Sequence, residues 1–159
     1  MVKRVGVKKI KDGLVRTTKT DFGIFIDECR KWTQLYGLRS FDIIYEWKDI
    51  DGGRAQSSYN VSTRLCTVTF NKLYDVCTYS EIDIRRTAFH EMTELLMAES
   101  ATYIKKYAEY NEMVRVVHSV ISVLEYTLFP MYLPKYLKKE MKNVYGYNLS
   151  DNTVKINIK

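Results

Sequence analysis

The hydrophobic pattern of this 159-residue chain changes its period along the sequence, and this change limits the fold more than any other feature. Apolar residues recur every three or four positions over residues 21–36, which predicts an amphipathic helix. Residues 40–70 contain three short runs rich in β-branched and aromatic residues, which predict about three strands. Helical periods return over residues 81–99 and 103–129. This order predicts an α+β domain with a short antiparallel sheet packed on helices.

The length and composition indicate a single domain. At 46% hydrophobic residues, the chain can bury one sizeable core but is short for two. We divide it into a basic N-terminal arm at residues 1–19, a core domain at residues 20–130 and a C-terminal extension at residues 131–159. The extension is expected to pack on the core through a short helix at residues 135–145, with a terminal strand at residues 153–158.

Three features bear on the compartment and the class of partner. Every apolar stretch is interrupted by charge before the roughly 18 residues that a membrane span needs, so we expect no membrane partner. The basic start has no apolar segment behind it, unlike a signal peptide. Cys29, Cys66 and Cys77 are an odd number without a CxxC pair, which predicts reduced thiols. We therefore expect a cytoplasmic protein.

The net charge of +6 is concentrated at the two ends of the chain. Such clusters can contact nucleic acid. They are more typical of solvated lysines that keep a small protein in solution. A protein or peptide partner is therefore favoured over nucleic acid.

One histidine and two glutamates stand close together on the helix predicted at residues 81–99. His90 and Glu94 are four residues apart, so their side chains project from one face of the helix, one turn apart. Zinc accepts both imidazole and carboxylate ligands, and this spacing lets both reach one ion. Glu91 would then act as the general base on a metal-activated water. The motif alone is nevertheless more typical of a solvated helix face.

The helix predicted at residues 103–129 carries a polar seam on an otherwise apolar surface. Apolar residues cover most of its circumference, which predicts burial on most sides. The seam consists of Arg115, His118, Ser122 and Glu125. A buried polar group without a partner costs roughly 1 to 3 kcal/mol. We therefore expect this seam to face the polar side of the His90 helix.

This arrangement makes His118 the third ligand of a zinc site with His90 and Glu94. Three protein ligands leave a fourth position for water, as in catalytic rather than structural zinc sites. Glu125 or Ser122 would hold His118 in the required tautomer.

Two alternatives remain open at this point. His118 is also interpretable as a core histidine that bonds Glu125 or a backbone carbonyl. Glu109 and Glu112 are alternative third ligands.

The order of the elements and three segments resemble the minimal zincin fold, especially the small zincin-like metallopeptidases of the bacteriophage type. The segments are Ala88–Leu96, Val117-His118 and Leu124-Glu125. The resemblance covers about residues 20–130. In that family the motif is H-E-x-x-H and a third ligand comes from the following helix, which implies His90 as first ligand, Glu91 as general base and a third ligand such as His118.

This chain departs from the family pattern because Glu94 replaces the second histidine. Two histidines and one glutamate are an accepted catalytic zinc set. The favoured hypothesis is a zinc-dependent hydrolase, most simply a metallopeptidase acting on a protein or peptide substrate. The alternative is a non-catalytic binding protein on a zincin scaffold, a phage-encoded modulator of a host protein or nucleic acid.

Overall fold

Three strands form a mixed β-sheet in the computed structural model of the chain, which describes residues 13–75 and 79–145. The strands are β2 (Asp42–Lys48), β3 (Ala55–Asn60) and β4 (Leu65–Asn71), in the spatial order β2-β4-β3. β4 pairs antiparallel with β3 but parallel with β2. The prediction of an antiparallel sheet was therefore wrong for one of the two pairings, while the α+β class is confirmed.

Burial explains why β4 lies between the other two strands. Cys66, Val68 and Phe70 on β4 are fully buried, whereas β2 and β3 alternate between exposed and partly covered residues. The strand with the most apolar surface is covered best when it has a neighbour on each side. β3 is left as an edge strand of this sheet.

A second, two-stranded sheet involves residues assigned from sequence to the N-terminal arm. β1 (Leu14–Arg16) pairs antiparallel with β5 (Leu73–Asp75), and Val15 is fully buried. Just after β1, the Thr17 hydroxyl donates to the backbone oxygen of Asn71. Residues 1–12 lie outside the described residues.

Two long helices pack on each other through their apolar faces. α1 (Lys19–Leu35) begins with a capping box formed by Thr18 and Asp21. α2 (Glu81–Ile104) is capped by Ser80, whose side chain accepts a hydrogen bond from the backbone nitrogen of Asp83. The helix that carries His90 is thus fixed at its start and buried along most of its length.

A charged network also joins these two helices. Glu28 on α1 is 1% exposed and accepts hydrogen bonds from Trp32 Nε1 and Arg85 Nη1, each at 2.7 Å. Arg85 on α2 also donates to Glu81. The buried carboxylate of Glu28 is therefore neutralised and hydrogen-bonded, which burial of a charge requires.

The third helix lies on the surface of the molecule. α3 (Tyr110–Thr127) buries Val117 and Ile121 against α2, but Val123 is 61% exposed and Val116 and Val120 are also exposed. The prediction of burial on most sides was wrong because α3 packs through one face only.

The chain continues into a short 3₁₀ helix and a fourth α-helix. The 3₁₀ helix (Phe129–Tyr132) leads into α4 (Lys135–Tyr145), so a short helix over residues 135–145 is confirmed. Leu133, Leu137 and Met141 are buried in the main core. The strand predicted at residues 153–158 lies outside the described residues. None of the helices in the described part of the chain combines the length and hydropathy that crossing a bilayer requires.

Candidate metal centre

Three side chains from two helices converge at the α2–α3 contact. His90 and Glu94 project from one face of α2, and His118 reaches them from α3. Glu94 Oε1 lies 3.4 Å from His90 Nε2 and 3.3 Å from His118 Nε2. One ligand atom from each of the three residues lies within 4.8 Å of the other two. The polar face of α2 and the seam of α3 therefore meet at these residues.

These distances match the donor spacing that zinc requires. Ligand atoms at 2.0–2.1 Å from a tetrahedral ion are about 3.3 Å apart. The carboxylate oxygen of Glu94 already stands at that separation from both imidazole nitrogens. The donor set of two imidazoles and one carboxylate also suits zinc and leaves one position for water or substrate. The residues thus fit the ion in chemistry and in the two donor distances to Glu94.

A fourth residue sets the orientation of His90. Glu125 Oε1 lies 2.9 Å from His90 Nδ1, so this nitrogen carries the proton and donates to the carboxylate. The bond leaves Nε2, the nitrogen nearer Glu94, available as a ligand. The sequence predicts that Glu125 or Ser122 holds His118, whereas the structure shows Glu125 bonded to His90. Seven residues separate Glu125 from His118 along α3, about 10.5 Å of helix rise, which is too far for a hydrogen bond.

The residues predicted on or beside α3 differ in their distance from the centre. His118 has 49% of its side-chain surface exposed and faces Glu94, so it is not a core histidine. Ser122 is exposed, and Glu125 rather than Ser122 bonds an imidazole of the site. Glu109 and Glu112 are exposed as well and lie outside the three-residue cluster.

Ser57 belongs to the site although no sequence pattern pointed to it. It lies in the middle of β3, and its hydroxyl donates to Glu94 Oε2 at 2.8 Å. The second oxygen of Glu94 is thus fixed by the sheet, while Oε1 faces the two histidines. A serine in a short polar strand has no sequence signal for this role, because strand and helix meet only in the tertiary structure.

Glu91 is buried beside this cluster. It is 5% exposed, and within the described part of the chain its Oε2 atom has no hydrogen-bond partner. Burial and the negative charge of Glu94 raise the pKa of Glu91 to about 7. The carboxyl group can therefore exchange a proton near neutral pH, as a general base or acid must.

The pKa values of the two metal-ligand candidates on α2 are shifted in opposite directions. Burial lowers the pKa of His90, but its hydrogen bonds to Glu125 and Glu94 outweigh burial and raise it to about 10. Burial raises the pKa of Glu94, but the bonds from His90 and Ser57 outweigh burial and lower it. Zinc must therefore displace a tightly held proton from His90, which makes metal affinity dependent on pH.

Two cavities flank the cluster along α2 and β3. The first, of about 460 Å³, is lined by His90, Glu91 and Glu125 together with residues of the turn before β3. The second, of about 420 Å³, is lined by Glu94, His118 and mostly apolar residues of α2 and α3. The metal-ligand candidates thus stand between two spaces that are open to a bound molecule.

A comparison of the chain with family models, with curated proteins and with solved structures finds no match.

Proposed function

We propose that this chain is a zinc-dependent hydrolase on a zincin-like domain, with a peptide as its substrate. The observation that carries the proposal is the convergence of His90 Nε2, His118 Nε2 and Glu94 Oε1 at distances that suit one zinc ion. These residues would hold the metal. Zinc in such a site polarises a carbonyl group and lowers the pKa of water.

Residues around the ligands would carry the proton transfers and the orientation. Glu91 is placed to accept a proton, because it adjoins the ligands and its Oε2 is buried without a partner among the described residues. Glu125 would fix the tautomer of His90, and Ser57 would fix the rotamer of Glu94. Each of these contacts holds a reacting or ligating group in place before substrate arrives.

The edge strand β3 supports a peptide as the substrate class. It pairs with β4 on one side only, and its residues Ala55, Ser57 and Tyr59 line the first cavity, the ligand cluster and the second cavity in that order. An extended peptide that adds to this edge would therefore pass the ligands.

Cys29 and Cys66 are free buried thiols, which agrees with a cytoplasmic protein, or with the host cytoplasm if the chain is phage-encoded.

The zinc content of protein purified without chelator or metal-affinity tag tests the proposal. We expect near-stoichiometric zinc by elemental analysis, lost in His90→Ala and His118→Ala and retained in Glu112→Ala, which changes an exposed glutamate on α3. Glu91→Gln should keep zinc and lose peptide cleavage. A wild-type protein that contains no metal and takes up none on addition of zinc would exclude the hydrolase.

One observation favours the second candidate, a non-catalytic binding protein on the same scaffold. Tyr103, Tyr107 and Tyr110 are all more than 60% exposed around the α2–α3 connection, and Lys105 lies over the ring of Tyr110. Exposed aromatic rings with a neighbouring cation can stack on nucleic-acid bases. Retention on single-stranded DNA or RNA that weakens steeply with salt would support this candidate, and no retention at low salt would oppose it.

A further inference from the structure

The second cavity is bounded by the three elements that meet at the metal-ligand candidates. β3 contributes Ser57 and Tyr59, while Glu94 lines the cavity from α2 and His118 lines it from α3. Its volume of about 420 Å³ has room for one large amino-acid side chain. The cavity is therefore a binding space that opens directly on the proposed metal centre.

The floor of this cavity belongs to an apolar cluster that is separate from the main core. Ala101 and Val117 are buried residues of the lining, and they form this cluster with Ile121. Met97 and Met113 pack against the cluster, and Met113 also lines the cavity. The methionine side chain is flexible and polarisable, so it adapts to an apolar group and makes favourable sulfur–aromatic contacts. The floor therefore suits an apolar or aromatic group.

Two tyrosine rings stand at the walls of the cavity. Tyr59 is half-buried on β3, and Tyr110 is exposed in the first turn of α3. The ammonium group of Lys105, which also lines the cavity, lies 6.0 Å from the ring centre of Tyr110, a cation–π distance. Aromatic rings attract one another in offset or edge-to-face contacts, beyond what the burial of their surface contributes. Two rings and a thioether around one space therefore favour an aromatic group as the occupant.

The spacing along β3 fixes the distance of this cavity from the metal centre. Ser57 donates to Glu94, and Tyr59 lies two residues later on the same face of the strand. Two strand residues span about 7 Å, which is also the interval between alternate side chains of an extended peptide. On α3, Val114 lines the cavity one turn before His118. A substrate side chain in the cavity therefore belongs to a residue within two positions of the cleaved bond.

We propose that the second cavity binds an aromatic side chain of the peptide substrate. The inference rests on the proposed function, because it names a substrate class for the same site. Tyr59 and Tyr110 contact the bound ring from the walls, and Met113 and Val117 contact it from the floor. The substrate is then a peptide with phenylalanine, tyrosine or tryptophan at one fixed position near the cleaved bond.

Binding to the cavity can be measured separately from catalysis. The probes are N-acetyl-phenylalanine amide and N-acetyl-cyclohexylalanine amide, which are uncharged and differ only in the aromaticity of the ring. NMR of the full chain follows the methyl groups of Met113 and Val117. A cavity that selected by apolar area alone would bind the saturated ring at least as tightly. We expect the phenylalanine probe to shift both methyl groups and to bind about 2- to 10-fold more tightly, the advantage of one aromatic pair. Equal or weaker binding of this probe would overturn the proposal.

Matched substitutions test whether the probe binds in this cavity. Val114→Phe fills the cavity from α3 and should weaken the phenylalanine probe at least about 10-fold. Val116→Phe, at an exposed position of the same helix outside the lining, should leave the affinity unchanged. Tyr110→Ala removes one ring and should weaken the probe about 2- to 10-fold, and Tyr107→Ala, outside the lining, should not. Tyr110 is exposed, so its variant still tests the proposal if Val114→Phe does not fold. Equal losses in a cavity variant and its matched control would overturn the assignment.

Cleavage of a peptide library by the zinc-loaded protein gives the second readout. Mass spectrometry should place an aromatic residue at one fixed position within two residues of the cleaved bond, and Val114→Phe should shift that preference to small residues. Zinc-dependent cleavage without any aromatic preference would refute the pocket and leave the hydrolase intact. Selective binding of the phenylalanine probe by a protein that takes up no zinc would refute the hydrolase and leave the aromatic pocket intact.

Discussion

Glu125 on α3 lies 2.9 Å from Nδ1 of His90 on α2 and thereby decides which nitrogen of the imidazole faces the other ligands. The contact crosses the interface between two helices and joins residues 35 positions apart. It orients His90 while it also raises the pKa of that imidazole. One carboxylate therefore both prepares the ligand geometry and makes zinc compete with a proton.

Removal of the Glu125 charge should weaken zinc binding without removing a ligand. We expect Glu125→Gln to lower zinc affinity about 10- to 100-fold, as for other groups that orient metal-bound histidines. Competition with a chromophoric chelator at fixed pH measures this affinity. Glu112→Gln, which neutralises an exposed carboxylate on the same helix, serves as the control. Equal affinities of Glu125→Gln and wild type would show that the contact has no role in metal binding.

His118 should matter for the metal and little for the fold. Because its side chain is 49% exposed, His118→Ala should change the metal-free free energy of unfolding by no more than about 0.5 kcal/mol. At free zinc near 100 times the wild-type Kd, zinc should stabilise the wild type by about 2.7 kcal/mol. We expect this gain to be nearly absent in the variant. Denaturant unfolding with and without zinc provides both numbers, and Arg115→Ala on the same helix is the control.

Glu91 should make the stability of the metal-free protein depend on pH. Its folded-state pKa of about 7 exceeds the ordinary value of 4.5, so the folded protein binds the proton more tightly than the unfolded chain. The stability contribution is present below pH 4.5 and is lost as the pH rises through 7, by about 3 kcal/mol in total. Glu91→Gln should remove this loss, so the difference between variant and wild type should grow with pH. Urea unfolding between pH 4.5 and 6.5 measures both stabilities. The prediction would be contradicted if the stability of the wild type and that of Glu91→Gln changed equally over this range.

The network around Glu28 should be a large contributor to the stability of the α1–α2 contact. Arg85→Ala leaves the buried carboxylate of Glu28 with fewer partners, and breaking a buried pair in this way costs about 3 to 5 kcal/mol. Since Lys31 and Trp32 still contact Glu28, we expect the lower end of that range. Replacing both partners, by Glu28→Gln with Arg85→Met, should destabilise less than Arg85→Ala alone. A double variant that is the least stable of the set would refute this account.

Much of the candidate centre follows from local geometry. His90 and Glu94 are neighbours on any α-helix that contains both, because residues four apart lie one turn apart. The apolar period predicts a helix at residues 81–99, and the structure extends it to Ile104. The expectation that His118 joins these residues required only that two polar helix faces meet. The sequence therefore sufficed for the three ligand candidates and for the α+β class.

Contacts between segments that are distant along the chain could not be predicted from the sequence. β4 takes the central position as the most buried strand and pairs parallel with β2, and strand burial depends on what packs above and below the sheet. The apolar composition of α3 predicted burial, but only one neighbouring face was available to cover it. Ser57 reaches the site only because β3 lies along α2.

The amino-acid sequence by itself determined the class of fold, the approximate positions of the helices and the set of candidate ligands, since these depend on spacing within short segments. It predicted the break between the last two long helices at residues 99–103, whereas α2 runs to Ile104 and α3 begins at Tyr110. The tertiary structure decided that Glu125 orients His90 and that Glu91 is buried beside the ligand candidates. The physical reason is that hydrogen-bond partners, burial and electric charge at a point depend on which segments pack there. Those segments are far apart along the chain and are brought together only by the fold.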